Sequence, residues 1–155
     1  MDVAGTGTNV QSSSSSNRNR ILVVDDVASV RRMWVKFLTK ENYDVDECED
    51  GSEALPLMKK KLYKFVLMDM QMPGLDGLST LRRIRQWERE VGKTDMNRQI
   101  IAIMSGGMDD NLEALLWDAN VDYIGSKPCD KAQVLFELLT IRSNLTGEEE
   151  IKVPN

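Results

Sequence analysis

The stretch Ile21-Leu22-Val23-Val24-Asp25-Asp26 decides the fold prediction. Four consecutive apolar residues are typical of a short strand buried on both faces, because a half-exposed strand would alternate polar and apolar side chains. The two aspartates end this strand abruptly at a polar edge. Strands buried on both faces belong to parallel sheets that helices cover on both sides, so this stretch predicts an α/β fold.

Short apolar runs alternate with amphipathic segments along the rest of the chain. The pattern predicts further strands at 43–48, 65–68, 100–104 and 121–124, of which 43–48 alternates in polarity and indicates an exposed edge strand. Helical spacing of apolar residues predicts helices at 30–38, 54–58, 78–87, 112–119 and 132–145. Pro56 is expected to delay or bend the second helix. Strands alternating with helices in this way indicate a doubly wound parallel sheet.

Both ends of the chain have compositions that do not favour folding. Residues 1–19 contain a serine run from Ser12 to Ser16 and almost nothing apolar, so they cannot offset the entropy lost on ordering. We expect a disordered tail or linker there. Residues 146–155 include a run of glutamates, and we expect a flexible C-terminal tail. The folded domain is therefore predicted to span 20–145.

The composition excludes several classes of function. A formal net charge of -5 argues against direct binding to DNA. The absence of histidine excludes histidine-ligated zinc, serine–histidine catalytic pairs and a phosphohistidine on this chain. Cys48 and Cys129 are too few for a disulfide framework, which favours a reducing compartment. No apolar run is long enough for membrane insertion, so we expect a cytoplasmic or nuclear location.

Polar residues of particular kinds follow four of the predicted strands. They are Asp25 and Asp26, Asp69, Ser105, and Lys127. The carboxyl ends of parallel strands meet at one edge of the sheet, so these side chains are expected to share a crevice. Three carboxylates in one crevice repel each other unless a cation lies among them, and an all-oxygen ligand set suits Mg²⁺. A lysine and a hydroxyl beside such an ion are suited to binding a phosphoryl group.

These motifs closely resemble the receiver domain of response regulators in two-component phosphorelays, over about residues 20–145. The resemblance lies in Ile21 to Asp26, in the segment 67–77 (LMDMQMPGLDG) and in Ser126-Lys127-Pro128. The long stretch 87–99 resembles the corresponding stretch in receivers that are attached to hybrid histidine kinases. The resemblance implies a flavodoxin-like five-stranded sheet in the order 2-1-3-4-5, and a histidine kinase or histidine phosphotransfer protein as partner. We expect this chain to be a monomer, and its location could be the cytosolic part of a larger membrane kinase.

The resemblance also implies a role for each site residue. Asp69 would accept phosphate from the partner's phosphohistidine, with Lys127 on one phosphoryl oxygen and Ser105 on another. The Mg²⁺ ligands would be Asp25, Asp26 and Asp69, together with the backbone carbonyl of Gln71. Such a domain is not a turnover enzyme, although it catalyses its own phosphorylation and slow dephosphorylation.

Two alternative functions fit parts of the pattern. A Mg²⁺-dependent phosphohydrolase with an aspartyl-phosphate intermediate would need an acid two residues after Asp69, and Gln71 cannot exchange a proton. An interaction module that has lost phosphorylation is disfavoured because no acidic or lysine position is missing. Taken one at a time, the polar strand ends also have structural explanations as helix caps, turns or solvated side chains.

Two groups of residues are candidates for signalling, and the first lies just before Lys127. Receivers often carry an aromatic residue three positions before the lysine, where this chain has Ile124, and Tyr123 lies one residue earlier. Strand alternation puts Tyr123 on the opposite face unless Gly125 hosts a bulge, so we expect Ser105 to respond to phosphate without an aromatic rotation.

The second surface is the partner-docking face beside Asp69. Val27, Val30 and, if it is exposed, Trp34 are expected to form it. Arg31 and Arg32 are expected to belong to a solvated face that steers the partner.

Overall fold

The computed structural model describes residues 19–148. The predicted tails therefore lie outside the described residues, apart from Asn19 at one end and 146–148 at the other. The described strands are β1 (Arg20–Val24), β2 (Asp44–Cys48), β3 (Val66–Asp69), β4 (Ile101–Ser105) and β5 (Tyr123–Ser126). The described helices are α1 (Ala28–Lys40), α2 (Gly51–Lys60), α3 (Gly77–Glu90), α4 (Asp110–Asp118) and α5 (Lys131–Thr146).

The five strands form one parallel sheet in the order β2-β1-β3-β4-β5. The predicted doubly wound topology is confirmed. The central strands β1, β3 and β4 are buried almost throughout, whereas β2 lies at an edge and is exposed at Asp44 and Glu47. Continuous apolar runs thus occupy the centre of the sheet, and the alternating run forms its border.

Helices cover the two faces of the sheet unequally. One core lies between the sheet and α2, α3 and α4, and it is centred on Met68, Leu81 and Ile103. The other lies between the sheet and α1 and α5, and it includes Trp34 and Leu138. Each strand contributes alternate side chains to the two cores, so the domain has one sheet with a hydrophobic layer on each side.

The expectation that Pro56 delays the second helix is wrong. Helix α2 begins at Gly51 and contains Pro56 in its interior. Its start is fixed by the side chain of Asp50, which accepts a hydrogen bond from the backbone N–H of Glu53 at 3.0 Å. The Glu53 side chain in turn accepts from the N–H of Glu49 at 2.9 Å. This reciprocal capping stabilises the first turn and offsets the backbone hydrogen bond that proline cannot make.

The last strand begins two residues later than expected from the apolar pattern, at Tyr123 instead of 121. The backbone N–H of Val121 is hydrogen-bonded to the carbonyl of Leu116, which closes the exit turn of α4. Asn120 has a left-handed conformation with φ of 67° in this turn. Val121 therefore packs in the core as part of the turn, and strand pairing starts after it. At the other end, α5 continues one residue beyond the predicted boundary, to Thr146.

A buried charge network holds the edge of the domain opposite the strand carboxyl ends. The guanidinium of Arg85 donates to Glu88 and to Asp122, each at 2.8 Å. Arg98 donates to both carboxylate oxygens of Asp122, at 2.9 and 2.8 Å. Glu88 also accepts from the backbone N–H of Gln99 at 2.6 Å. The network ties the long connection between α3 and β4 to the start of β5.

We expect Asp122→Ala to lower the free energy of unfolding by about 3 kcal/mol, because it leaves the buried guanidinium of Arg85 without one of its two carboxylate partners. Urea denaturation measures the loss. Glu90→Ala removes an exposed carboxylate from the end of α3 and is expected to change stability by less than about 0.5 kcal/mol. Equal stabilities for the two variants would contradict a stabilising role for the network.

Candidate functional site

Three carboxylates meet where the central strands end. Asp25 and Asp26 directly follow β1, and Asp69 is the last residue of β3. One oxygen from each side chain lies within 4.8 Å of the other two. Asp25 and Asp69 are buried, whereas Asp26 is exposed. The cluster is therefore anchored in the sheet on one side and open to solvent on the other.

Lys127 bridges two of the three carboxylates. Its Nζ lies 2.7 Å from Oδ2 of Asp25 and 3.1 Å from Oδ1 of Asp69. Lys127 directly follows β5, and its backbone N–H donates to the carbonyl of Ser105 at the end of β4. The Lys127–Pro128 peptide bond is cis. Residues from the ends of β1, β3 and β5 are thus joined through one ammonium group.

The backbone that follows Asp25 is fixed by hydrogen bonds to this residue. Its Oδ1 accepts from the N–H of Val27 at 2.9 Å, and its carbonyl accepts from Arg31 at 2.8 Å. Arg31 also donates to Glu47 at 2.9 Å, and its side chain is only 13% exposed. The expectation that Arg31 belongs to a solvated face is therefore wrong. It connects α1 to the edge strand β2 and to the acidic site, while Arg32 is exposed.

The electrostatic environment of the cluster favours a cation. Burial, and secondly the charge of Asp25, raise the pKa of Asp69, even though Lys127 and the backbone N–H of Gln71 oppose this shift. Partial burial alone would lower the pKa of Lys127, but its hydrogen bonds and charge interactions with Asp25 and Asp69 outweigh burial and raise it. One ammonium thus faces more negative charge than it neutralises. A divalent cation bound by the same oxygens would relieve the remaining repulsion.

Two residues that the sequence analysis gave no role hold the start of α3 against the end of β3. A Cβ atom at Gly77 would lie 2.6 Å from the carbonyl oxygen of Asp69, so only glycine allows α3 to begin this close to β3. Asp76 caps the same helix by accepting from the N–H of Ser79 at 2.8 Å. The sequence signal was an Asp-Gly pair before an amphipathic helix, which is equally typical of an ordinary turn.

Ser105 and Gln71 both lie at or just beyond the strand ends that carry the site, but Ser105 is buried and Gln71 is exposed. Ser105 ends β4 and is only 2% exposed, and its Oγ accepts from the N–H of Gly107 at 3.2 Å. Gln71 is exposed, two residues beyond Asp69. It lines a surface cleft with Asp26, Pro73 and Leu112. The cleft gives solvent and ligands access to the exposed side of the cluster.

The structure also places the residues of the two candidate signalling surfaces. Tyr123 packs on the core beneath α1 and α5, whereas Ile124 packs on the core beneath α2, α3 and α4. The two side chains therefore lie on opposite faces of the sheet. Val27 is 46% exposed, but Trp34 is buried at 5% exposure and does not belong to the surface of α1. Val30 is partly buried against the same core.

Comparison with known proteins identifies the family. Residues 21–139 match the family described as the response regulator receiver domain. The chain belongs to this family. As a receiver domain it is a two-component signalling domain and not a turnover enzyme in the usual sense. The part of the chain that the structure describes contains no helix long and apolar enough to cross a membrane.

Relatives of this receiver domain include regulators and sensor kinases. It is 44% identical over 71 residues to the transcriptional regulatory protein ResD of Bacillus subtilis, a match that covers 46% of this chain and 30% of ResD. It is 36% identical over 104 residues to the CAI-1 autoinducer sensor kinase/phosphatase CqsS of Vibrio cholerae, covering 62% of this chain and 15% of CqsS. The matches thus span less than a third of either relative.

A solved structure confirms the fold. The CheY-like receiver domain protein from Methanospirillum hungatei superposes with a TM-score of 0.73 at 18% sequence identity. The match covers 83% of this chain and 97% of that protein.

We expect Asp69→Asn to stabilise the receiver domain at pH 7 in metal-free buffer. The pKa of Asp69 is raised in the folded state, so its contribution to stability is fully present below the unfolded pKa of about 3.9 and is lost as the pH rises through the folded value. Asparagine stays neutral at every pH. The gain should therefore shrink as the pH falls towards 4. Urea denaturation at both pH values measures it, and a less stable variant at pH 7 would contradict the electrostatic argument.

Proposed function

We propose that this receiver domain accepts a phosphoryl group on Asp69 from a phosphohistidine of a histidine kinase or histidine phosphotransfer protein. The observation that carries the proposal is the convergence of three carboxylates within 4.8 Å with a lysine between Asp25 and Asp69. The chain has no histidine, so the donor imidazole belongs to the partner. The phosphorylated domain then passes the group on or changes its surface for a partner.

The side chains of this site are suited to the proposed group transfer. A carboxylate oxygen of Asp69 attacks phosphorus, the new P–O bond forms, and the P–N bond to the partner's imidazole breaks with its electron pair leaving on nitrogen. Lys127 contacts Asp69 and would pair with an oxygen of the incoming phosphoryl group. Ser105 is close to the site through the adjacent strand and would donate its hydroxyl to a second oxygen.

The residues present fit a Mg²⁺ ion. Asp25, Asp26, Asp69 and the backbone carbonyl of Gln71 would hold it, and all of these ligand atoms are oxygens, as Mg²⁺ requires. The bound ion supplies neutralisation of the charge on the acceptor carboxylate and on the transferred phosphoryl group. Burial, and secondly the charge of Asp25, raise the pKa of Asp69 despite Lys127, and a cation held by these oxygens would favour the ionised carboxylate, which supports this assignment.

Other functions receive less support. A phosphohydrolase of the aspartyl-phosphate type needs a proton-exchanging residue two positions after the acceptor, and Gln71 has none. We further propose that Ser105 responds to phosphorylation without a coupled rotation of Tyr123, because Ile124 occupies the face on which the family's aromatic residue turns. Direct DNA binding and membrane insertion are not part of the proposed function, and we expect the domain to act in the cytoplasm or nucleus.

The partner's docking surface is proposed on the exposed start of α1. Val27 provides an exposed apolar contact beside the acidic cluster, and Val30 lies one turn further along. Arg32 is exposed and would steer an acidic partner. Trp34 and Arg31 do not belong to this surface, because their side chains are turned into the domain, where they support α1. This surface reaches the open side of the site, where Asp26 is exposed.

Treatment with a small phosphoramidate donor and Mg²⁺ is expected to add one acid-labile phosphate to the protein. Intact-mass measurement detects it. Asp69→Asn should abolish the addition, because the attacking carboxylate is gone. Asp44→Asn, which removes an exposed carboxylate from β2, is the matched control and should be phosphorylated normally. Undiminished labelling of Asp69→Asn would overturn the assignment of the acceptor.

Mg²⁺ is expected to raise the thermal unfolding temperature, because it binds the folded cluster and has no assembled site in the unfolded chain. The increment should shrink strongly in Asp26→Asn, which loses one proposed ligand while leaving the Asp25–Lys127–Asp69 contacts in place. Differential scanning calorimetry with Mg²⁺ and with EDTA measures the effect. Equal stabilisation of both proteins would show that the ion binds elsewhere.

A further inference from the structure

Charge is strongly segregated on the face of the domain that α2, α3 and α4 cover. The segment 106–126, which contains α4, carries acidic residues and no lysine or arginine. The preceding helix α3 exposes Arg82, Arg83 and Arg89. A chain with a net charge of -5 thus carries a basic helix next to an acidic one. This feature has no part in the chemistry at Asp69.

The basic helix presents its charges as one exposed stripe. Arg82 and Arg89 lie two turns apart on the same side of α3 and form this stripe. On another side of α3, Lys59 and Lys60 at the end of α2 line one small cavity with Lys93, whose ammonium lies 5.8 Å from the ring centroid of Trp87. Among the described residues, none of these cations takes part in an ion pair, so their charges remain available to a partner.

The acidic helix is exposed over most of its surface. Within α4, Leu116 alone is buried, while Glu113 and Asp118 are exposed. Leu115 and Trp117 are also exposed, Trp117 to 50%. The connection after α3 offers exposed apolar side chains of its own, Val91 and Met96. Both charged surfaces are therefore accompanied by apolar groups that an association could bury.

We propose that the domain associates with a second copy of itself through this face, with the basic α3 of each copy against the acidic α4 of the other. Helices α3 and α4 both pack on the same face of the sheet. A two-fold axis passing between them would pair α3 with the partner's α4 twice, which closes the assembly as a dimer. The proposal is independent of phosphorylation, and it replaces the monomer expected in the sequence analysis.

A second copy fits this face better than a polyanion or an anionic membrane. A polyanion would pair with the stripe on α3 but would be repelled by the acidic residues of α4 beside it. A second copy satisfies both helices at once, because each surface is matched by the other on the same chain. The contacts lie near solvent, so the association is expected to be weak and to decline as salt increases.

A reciprocal charge exchange tests the proposal. Arg82→Glu with Arg89→Glu makes both helices acidic, and Glu113→Lys with Asp118→Lys makes both basic. Neither double variant can form the dimer with itself, but a mixture of the two restores opposite charges at both contacts. Sedimentation velocity at low ionic strength measures association, and circular dichroism confirms that each variant is folded.

Matched controls carry the same change in net charge on other surfaces. Lys36→Glu with Lys40→Glu changes exposed residues of α1, and Glu41→Lys with Asp44→Lys changes exposed residues at the start of β2. Both controls should associate like the unmodified domain, with a shift in salt dependence only. Asp69→Asn should also associate normally, which separates this interface from the phosphoacceptor chemistry.

The expected result is association of the unmodified domain, loss of association in each double variant of α3 and α4, and recovery on mixing them. A monomer at every accessible concentration and low ionic strength would overturn the proposal. Failure of the mixture to recover association would also overturn it. Binding of the unmodified domain to anionic vesicles, unaffected by the changes in α4, would assign the basic stripe to a membrane surface instead.

Discussion

The ammonium of Lys127 lies between the carboxylates of Asp25 and Asp69, and this contact joins the ends of three strands. Without it, two buried carboxylates would face each other across the crevice with no compensating charge. Burial and the charge of Asp25 nevertheless keep the pKa of Asp69 raised despite the lysine. A cation bound beside Lys127, as proposed, would favour the ionised form of Asp69.

The edge of the domain away from this site is held by a different kind of interaction. There Arg85 and Asp122 belong to a buried network in which each charge has more than one partner. Such a network is rigid, because moving one member leaves others buried without a partner. The carboxyl edge of the sheet, by contrast, ends in loops such as the one after Ser105, where Gly106 and Gly107 have open space around them. The buried charge network and the more open loops thus lie at opposite edges of the sheet.

The surface between these edges has its own charge distribution. The helices on one face separate basic and acidic side chains between α3 and α4, while Arg31 on the other face is internally paired with Glu47. Charged residues on the two faces thus differ in what they contact. Arg31 on α1 supports the site from within, whereas Arg82 and Arg89 on α3 are exposed and could meet another molecule.

The sequence by itself determined the fold class and the composition of the site. Continuous apolar runs ending in Asp25 and Asp69 predicted central strands and their polar ends, because strand periodicity and the parallel topology are properties of local sequence. Only the tertiary structure decided where β5 begins, that α2 tolerates Pro56, and that Trp34 and Arg31 are turned inwards. The first two features depend on hydrogen bonds that the apolar pattern does not reveal, in the exit turn of α4 and in the cap formed by Asp50. Arg31 turns inwards because it meets the carboxylate of Glu47 on a neighbouring element. The close approach of Gly77 to Asp69 is of the same kind, since residues distant in sequence meet only when the helix packs on the sheet.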